Sequence, residues 1–315
     1  MPIVVVTGAA TPLGRRVVAR LAAASPSEVV AVDEVPPDLK RLADGAAAVV
    51  HLGDPGDARA VVDAAAGAGQ LVVVSSAAVY GAWADNSVPL TEDAPIRPNP
   101  GFDYATARAE AERLAALARD DHPGLRAAVL RLAPVVAPGE DTEEARLLAH
   151  PPALRAADAI PPAQFLHVDD AVSAVVHALS AGLDGTFNVA PDGFVAGETA
   201  RALAGTAVPV PVPDRFGRLL ARIAWRARVG SVPPAAEPYR CHPWVVANDR
   251  FRVTGWAPAF TSEEAVVAAR KESWWRELSP KRRQEVALAT TGGGALAAAT
   301  GAVLLARAAR RRGRR

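Results

Sequence analysis

The chain opens MPIVVVTGAATPLG, and this stretch limits what the rest can fold into. Residues 3–6 are an apolar, β-branched run with the length of a strand buried on both faces. The run stops at Thr7-Gly8, and from Gly14 the sequence is compatible with a helix. A strand, a glycine turn and a helix N-terminus in that order make a site for a diphosphate. The N–H groups of the first helical turn lack intrahelical partners, and the helix dipole favours an anion there. Nineteen residues after Gly14 a second apolar run, 29–32, gives way to Asp33. A dinucleotide-binding fold places an acid at that distance to bond the adenosine ribose hydroxyls. An acid repels a 2′-phosphate, so the spacing predicts NAD in preference to NADP.

Further strands are expected at 46–52, 71–75 and 127–132, with helices at 57–67 and 104–119 between them. This alternation predicts an α/β chain with a Rossmann-like, doubly wound parallel sheet. Past residue 133 the elements shorten and proline-rich loops take over. The expected organisation is a dinucleotide-binding part over 1–133, a smaller substrate-binding lobe over 134–278, a basic linker over 279–285, an apolar segment over 286–306 and a basic tail over 307–315. Within the lobe, QFLHVDDAVSAVVHAL reads as a short strand and a helix capped by Asp169 or Asp170. The 21 residues 286–306 carry no charge and are long enough to cross a bilayer core. They predict a transmembrane or membrane-anchoring helix, with basic residues on both sides and, at Trp274 and Trp275, either an interfacial anchor or simple packing.

Lysine and arginine number 35 against 34 acids, a net charge of +1, so no global field recruits nucleic acid. The single cysteine, Cys241, excludes an internal disulfide and fits a reducing compartment. No signal peptide precedes the first strand, which predicts a cytoplasmic catalytic part, anchored to the cytoplasmic membrane if 286–306 inserts.

The chemistry is expected at SSAAVYG (75–81) and at Tyr104-Ala-Thr-Ala-Arg108, which begins 28 residues after Ser76 and opens a helix. Tyr104 and Arg108, four residues apart, share one helical face. A phenol with an ordinary pKa of about 10 needs a nearby cation to serve as a proton shuttle. A serine hydroxyl beside it orients an alcohol or carbonyl. Next to a nicotinamide these three groups suit reversible oxidation of an alcohol.

With these motifs the chain resembles the extended short-chain dehydrogenase/reductase family, the NAD-dependent epimerases and dehydratases. TG-x5-G, SSAAVYG, Y-x3-R, RLAPVVAPG (131–139), FLHVDDA (165–171), GTFNVAPDG (185–193) and the W-x-P at Trp256 occur in the family's order over about 270 residues. The resemblance implies Ser76 as the substrate-orienting hydroxyl, Tyr104 as the acid/base and Arg108 as its cation. It implies a cofactor set of Thr7, Gly8, Thr11, Leu13, Gly14, Asp33 and Ser75 alongside Tyr104 and Arg108, and no metal ligand. It makes His167 and Asp169 structural residues at the junction of two lobes.

Three departures stand out. Thr11 replaces the family's middle glycine, although its hydroxyl is suited to bond a phosphate. Arg108 replaces the family's lysine, and a planar fork does not substitute for a compact ammonium without rearrangement. Gly8 to Tyr104 is only 96 residues, which removes about one strand–helix unit. Either 46–53 is the strand that ends in the family's HLA-like turn, which VVHLG favours, or it is the preceding strand with Asp54 against the adenine. Either way one wall of the adenine pocket is reduced.

Ala77 and Ala78 stand where sugar-dehydrating members carry acids, which argues against sugar dehydration. His167 with Asp169 and Asp170 resembles a metal cluster, but ligand spacing recurs nowhere else, so a helix cap is favoured. His51 is expected to be packed or close to the cofactor. The leading expectation is an NAD-dependent oxidoreductase or epimerase acting on a secondary alcohol. Its substrate is a nucleotide sugar or, given Pro134 and the apolar segment, a lipid-like molecule. The alternative is a catalytically weakened NAD-binding regulatory or scaffold protein at the membrane. Helix 104–119 is a candidate homodimer face.

Overall fold

Valine dominates the centre of the structure because its strands are covered on both faces. The computed structural model describes residues 2–24, 27–137, 161–199 and 233–269, with the backbone alone of 154–155 and 210–211. Chain order gives β1 (Ile3–Thr7), α1 (Pro12–Ala24), β2 (Glu28–Val32), α2 (Leu39–Ala43), β3 (Ala48–His51), α3 (Ala58–Ala64), β4 (Gln70–Ser76), α4 (Asp103–Asp121) and β5 (Arg126–Leu132). Beyond these lie β6 (Val135–Val136), β7 (Leu154–Arg155), β8 (Leu166–His167), α5 (Val168–Ser180), β9 (Gly185–Val189) and β10 (Val210–Pro211). A last helix, α6 (Ser262–Ala269), follows two short helical turns at Pro238–Cys241 and Asp249–Arg252.

Six strands form one sheet in the order β2-β1-β3-β4-β5-β9, and every neighbouring pair is parallel. Alternate residues feed two cores. Val4, Val6, Val50, Val72, Val74 and Leu130 meet α1 and α5 through Val17, Leu21, Val172 and Val175. Val5, Val49, Leu71, Val73 and Val129 meet α2, α3 and α4 through Leu39, Val61, Leu114 and Ala115. The doubly wound sheet predicted from the alternation of runs is therefore present.

The topology decides between the two placements of 46–53. β1 pairs with β2 on one side and β3 on the other, with Thr7 opposite His51. The strand order thus reverses between β1 and β3, so β3 is the strand ending in the VVHLG turn. Among the described residues β2 is an edge, with Glu28 and Ala31 exposed. The shortening of the chain falls outside β2.

The boundary expected at residue 133 is not a boundary of the sheet, because β9 supplies its sixth strand and α5 covers one face. Residues 1–269 cluster as one compact unit. Beyond the sheet, β6 pairs with β8, and Val136, Phe165, Val195 and Ala265 make a small separate core with α6. Backbone pairing also joins β7 to β10. Residues 270–315, and with them the basic linker, Trp274, Trp275, the apolar segment 286–306 and the basic tail, lie outside the described residues. Among the described residues no helix is long and apolar enough to cross a membrane.

A polar chain crosses the interior at the carboxyl end of the sheet. Glu112 of α4 accepts from Arg131 of β5 through Nε at 2.9 Å and Nη2 at 2.7 Å, with both side chains buried. Ser75 of β4 donates to the other carboxylate oxygen. Arg131 Nη1 donates to the Tyr80 hydroxyl at 2.7 Å, and Tyr80 donates to Asn188 Oδ1 of β9 at 2.8 Å. Removing one member of such a pair strands a charge in low dielectric. Arg131→Leu is expected to cost about 3–5 kcal/mol of unfolding free energy. Arg131→Leu/Glu112→Leu, which removes both charges, should recover part of that loss in denaturant melts.

Candidate active site

The glycine turn is shaped by backbone crowding. Gly8 has φ +74°, and a Cβ there would lie 2.4 Å from the Gly53 nitrogen. A Cβ on Gly14 would lie 2.1 Å from the Gly8 carbonyl oxygen. The loops after β1 and β3 therefore touch at the point where the strand order reverses, which is where open α/β sheets leave their ligand crevice. Pro12 occupies the first position of α1, where a missing N–H costs nothing. Thr11 donates its hydroxyl proton to Gly8 O at 2.7 Å and accepts from Gly14 N–H at 3.0 Å. The hydroxyl of which a phosphate contact is expected thus also caps the turn. Leu13 lies in the same first turn, half-buried against the core of α1 and α5. Ala9 N–H donates to Val32 O at 3.1 Å, which ties the turn to the end of β2 beside exposed Asp33.

Thr7 and His51 lock β1 to β3. Thr7 Oγ1 and His51 Nδ1 are 2.8 Å apart, and both residues are buried. His51 is held down to a pKa of about 4, first by burial and then by the nearby Arg108 charge, with the Asp54 backbone acting in the opposite direction. His51 is thus a packed, neutral residue directly behind the glycine crossing, and the Thr7 side chain faces it.

β4 delivers its two serines to opposite faces, as strand alternation requires. Ser75, expected among the cofactor ligands, is directed to Glu112. Ser76 is buried and heads the helical turn Ala77–Tyr80, its Oγ accepting from Ala78 N–H at 3.2 Å. Ala77 and Ala78 are wholly buried.

Tyr104 stands half-buried in the first turn of α4. The Arg108 guanidinium lies 5.4 Å from the centre of its ring, the contact that the four-residue spacing predicts. Arg108 Nη1 donates to Val74 O at 2.7 Å, two residues before Ser76. The planar fork is thus anchored on β4 and against the phenol ring, where a lysine would have kept a mobile ammonium.

His167, and neither aspartate, caps α5: its Nδ1 accepts from Asp169 N–H at 3.2 Å, while its ring stacks on Phe260 at 3.9 Å. Asp170 is buried and accepts from the N–H groups of Ala259 and Phe260 at 2.9 and 3.0 Å. Burial raises its pKa above the usual aspartate value, against the effect of those two bonds. Asp170 therefore fastens the segment before α6. Sequence reasoning passed over Asn188, Tyr239 and the pairing of Glu112 with Arg131. Arg131, Tyr80 and Asn188 carried a signal, through the motifs that contain them.

Residues 56–190 match the sequence model of the NAD dependent epimerase/dehydratase family, which supports assignment of that segment to the family. Uncharacterised proteins of Mycobacterium tuberculosis and Mycobacterium bovis are 32% identical over 201 residues, which covers 62% of this chain and 52% of theirs. The chain thus spans about half the length of these curated relatives. The UDP-glucose 4-epimerase of Thermus thermophilus, solved as a complex with NAD, superposes with a TM-score of 0.59 at 19% identity over 85% of this chain and 97% of the other. The dTDP-glucose 4,6-dehydratase DesIV of Streptomyces venezuelae, solved with NAD and TYD, gives 0.62 at 18% identity over 87% and 97%. These likenesses show that the fold is shared.

Two measurements follow from the titrating groups. Folding depresses the His51 pKa from 6.5 to about 4, so its stabilising contribution is complete above the unfolded value and is lost as pH falls towards the folded one. The full effect is on the order of 3 kcal/mol, and His51→Gln should flatten the acid limb of a stability–pH curve in that window. Of the three tyrosines, Tyr80 is raised above its ordinary value and Tyr239 is pushed up to about 12, both chiefly by burial. Both resist ionisation while the protein is folded, so their contribution is complete below the unfolded value near 10 and is lost as pH rises from there through the raised values. In an alkaline ultraviolet titration the part that belongs to Tyr104 is the part missing from Tyr104→Phe, and Arg108→Met, which takes the cation off that ring, should move it upward.

Proposed function

We propose that the whole chain is a member of the NAD dependent epimerase/dehydratase family. In this reading it is an NAD-dependent oxidoreductase acting on a secondary alcohol, with a nucleotide sugar as the substrate class. The observation that carries it is the juxtaposition at the end of β4. Ser76 ends the strand, and Arg108 fastens the Tyr104 turn of α4 to Val74 two residues earlier. The crossing of Gly8 and Gly53 lies at the strand-order reversal next door.

The crossing suits a dinucleotide, because glycines at 8 and 14 let the loops after β1 and β3 close on the first turn of α1, whose N–H groups favour an anion. Gly8, Leu13 and Gly14 would line the diphosphate, and exposed Asp33 would bond the adenosine ribose. The chemistry NAD supplies when bound is hydride acceptance at its nicotinamide ring. Ser76 has its oxygen fixed by the Ala78 N–H and orients the substrate hydroxyl. Tyr104 receives the hydroxyl proton as the C–O bond becomes a carbonyl. The Arg108 charge on its ring favours the phenolate. Returning that proton while the hydride comes back to the other face of the ketone gives epimerisation. The solved neighbours in complex with NAD and, for the Thermotoga maritima epimerase, with UDP-glucose support the cofactor and substrate class.

A second reading, an NAD-binding regulatory or scaffold protein with weakened turnover, is favoured by one observation: the guanidinium that replaces the family's lysine is already bound to Val74. Attachment to the cytoplasmic membrane through 286–306 belongs to either reading and is checked by whether the full chain sediments with vesicles.

Calorimetric titration of the full chain with NAD and NADP tests the cofactor. NAD should bind much more tightly, and Asp33→Ser should reduce the preference about ten-fold. Incubation with NAD and UDP-glucose then separates the readings. Appearance of nicotinamide absorbance or of UDP-galactose, abolished by Tyr104→Phe, supports the enzyme, whereas binding without turnover supports the scaffold.

A further inference from the structure

Tyr239 takes no part in the chemistry above, yet it touches both halves of it. It is buried in the turn Pro238–Cys241 and reaches the site from far along the chain. Its hydroxyl donates to the Ala78 carbonyl at 2.7 Å, and the Ala78 N–H is the donor that holds Ser76 Oγ. Its ring lies 4.9 Å from that of Phe102, which is 5.7 Å from the ring of Tyr104. Trp244 fixes the other side, edge-on at 5.2 Å, and its indole N–H donates to Tyr239 O at 2.8 Å.

We infer that Tyr239 is a positioning residue that keeps Ser76 and Tyr104 in register, its hydroxyl bracing the turn that orients the serine and its ring supporting Phe102 beneath the tyrosine. The inference rests on the oxidoreductase reading for its purpose, and its geometry stands independently of turnover. Tyr239 is suited to the task because the two bonds leave it on different atoms. The phenol cannot slide towards one partner without leaving the other. Its pKa of about 12 keeps the proton on the oxygen, so it remains a donor and does not compete with Tyr104 for protons. The segment behind it is held as firmly. Leu90 N–H donates to Val245 O, and Ala247 N–H to Leu90 O, at 2.9 and 2.8 Å.

The test uses the full chain and the tyrosinate step of Tyr104, isolated as the difference from Tyr104→Phe in an alkaline titration, with circular dichroism to verify folding. Tyr239→Leu and Phe102→Leu remove the support and should move the Tyr104 step by about half a pH unit or more. Tyr239→Phe keeps the ring and should leave that step in place with NAD affinity unchanged. In the same variant the turnover of UDP-glucose, read as nicotinamide absorbance or as UDP-galactose, should fall about ten-fold, a fraction of what a 1 Å misplacement costs. If Tyr239→Leu does not fold, Phe102→Leu decides. A Tyr104 step unmoved in every folded leucine variant overturns the inference, as does an unchanged rate in Tyr239→Phe. If the unmodified chain turns UDP-glucose over by neither measure, the substrate reading fails by itself, and the titration still decides the role of Tyr239.

Discussion

The buried pairing of Glu112 with Arg131 is the interaction on which most of the architecture leans. It joins α4 to β5, and through Ser75, Tyr80 and Asn188 it reaches β4, the turn after it and β9. Both charged groups are buried. A charge pair in this setting is retained only when its remaining donors and acceptors are matched, and here every neighbour supplies one bond. The same helix that carries Glu112 carries Arg108 four residues earlier and Tyr104 four before that. Fixing the helix at Glu112 therefore fixes the height at which the phenol stands over the end of β4.

What the sequence disclosed follows a simple division. Strands and the glycine turn were legible because burial on two faces writes itself as unbroken valine runs, and a backbone crossing admits nothing larger than glycine. The four-residue step from Tyr104 to Arg108 was legible because helical periodicity alone puts the two side chains together. Ser75 and Ser76 could be seen to lie on opposite faces, but which face held the chemistry depended on where α4 docks. The local bonds of Thr11 and Thr7 could not be read from the sequence for a related reason. A short polar side chain beside a turn has a local partner available, and the choice between that partner and a ligand is made by distances of a few tenths of an ångström. The α5 cap fell to His167 because Asp170 had a stronger call on its carboxylate from the backbone before α6.

Arg108 shows how one substitution changes the character of a site while preserving its charge. A lysine swings on four single bonds and can serve a ring and a sugar in turn. The guanidinium is flat, and here it is wedged between the Val74 carbonyl and the face of Tyr104. Its Nε is buried without a partner, a cost accepted for a fixed orientation. The cation becomes part of the scaffold that presents the phenol.

The free edge at β2 bears on timing. An epimerase must keep one nucleotide through oxidation and return, so its adenosine half is best enclosed. A dehydrogenase must let the spent nucleotide go at every turnover. Under the proposed NAD-binding reading, a sheet whose described strands end at β2, with Asp33 exposed beside it, would give the adenosine half one wall fewer to leave behind. The length of the chain before Tyr104 would then also set how long a nucleotide stays.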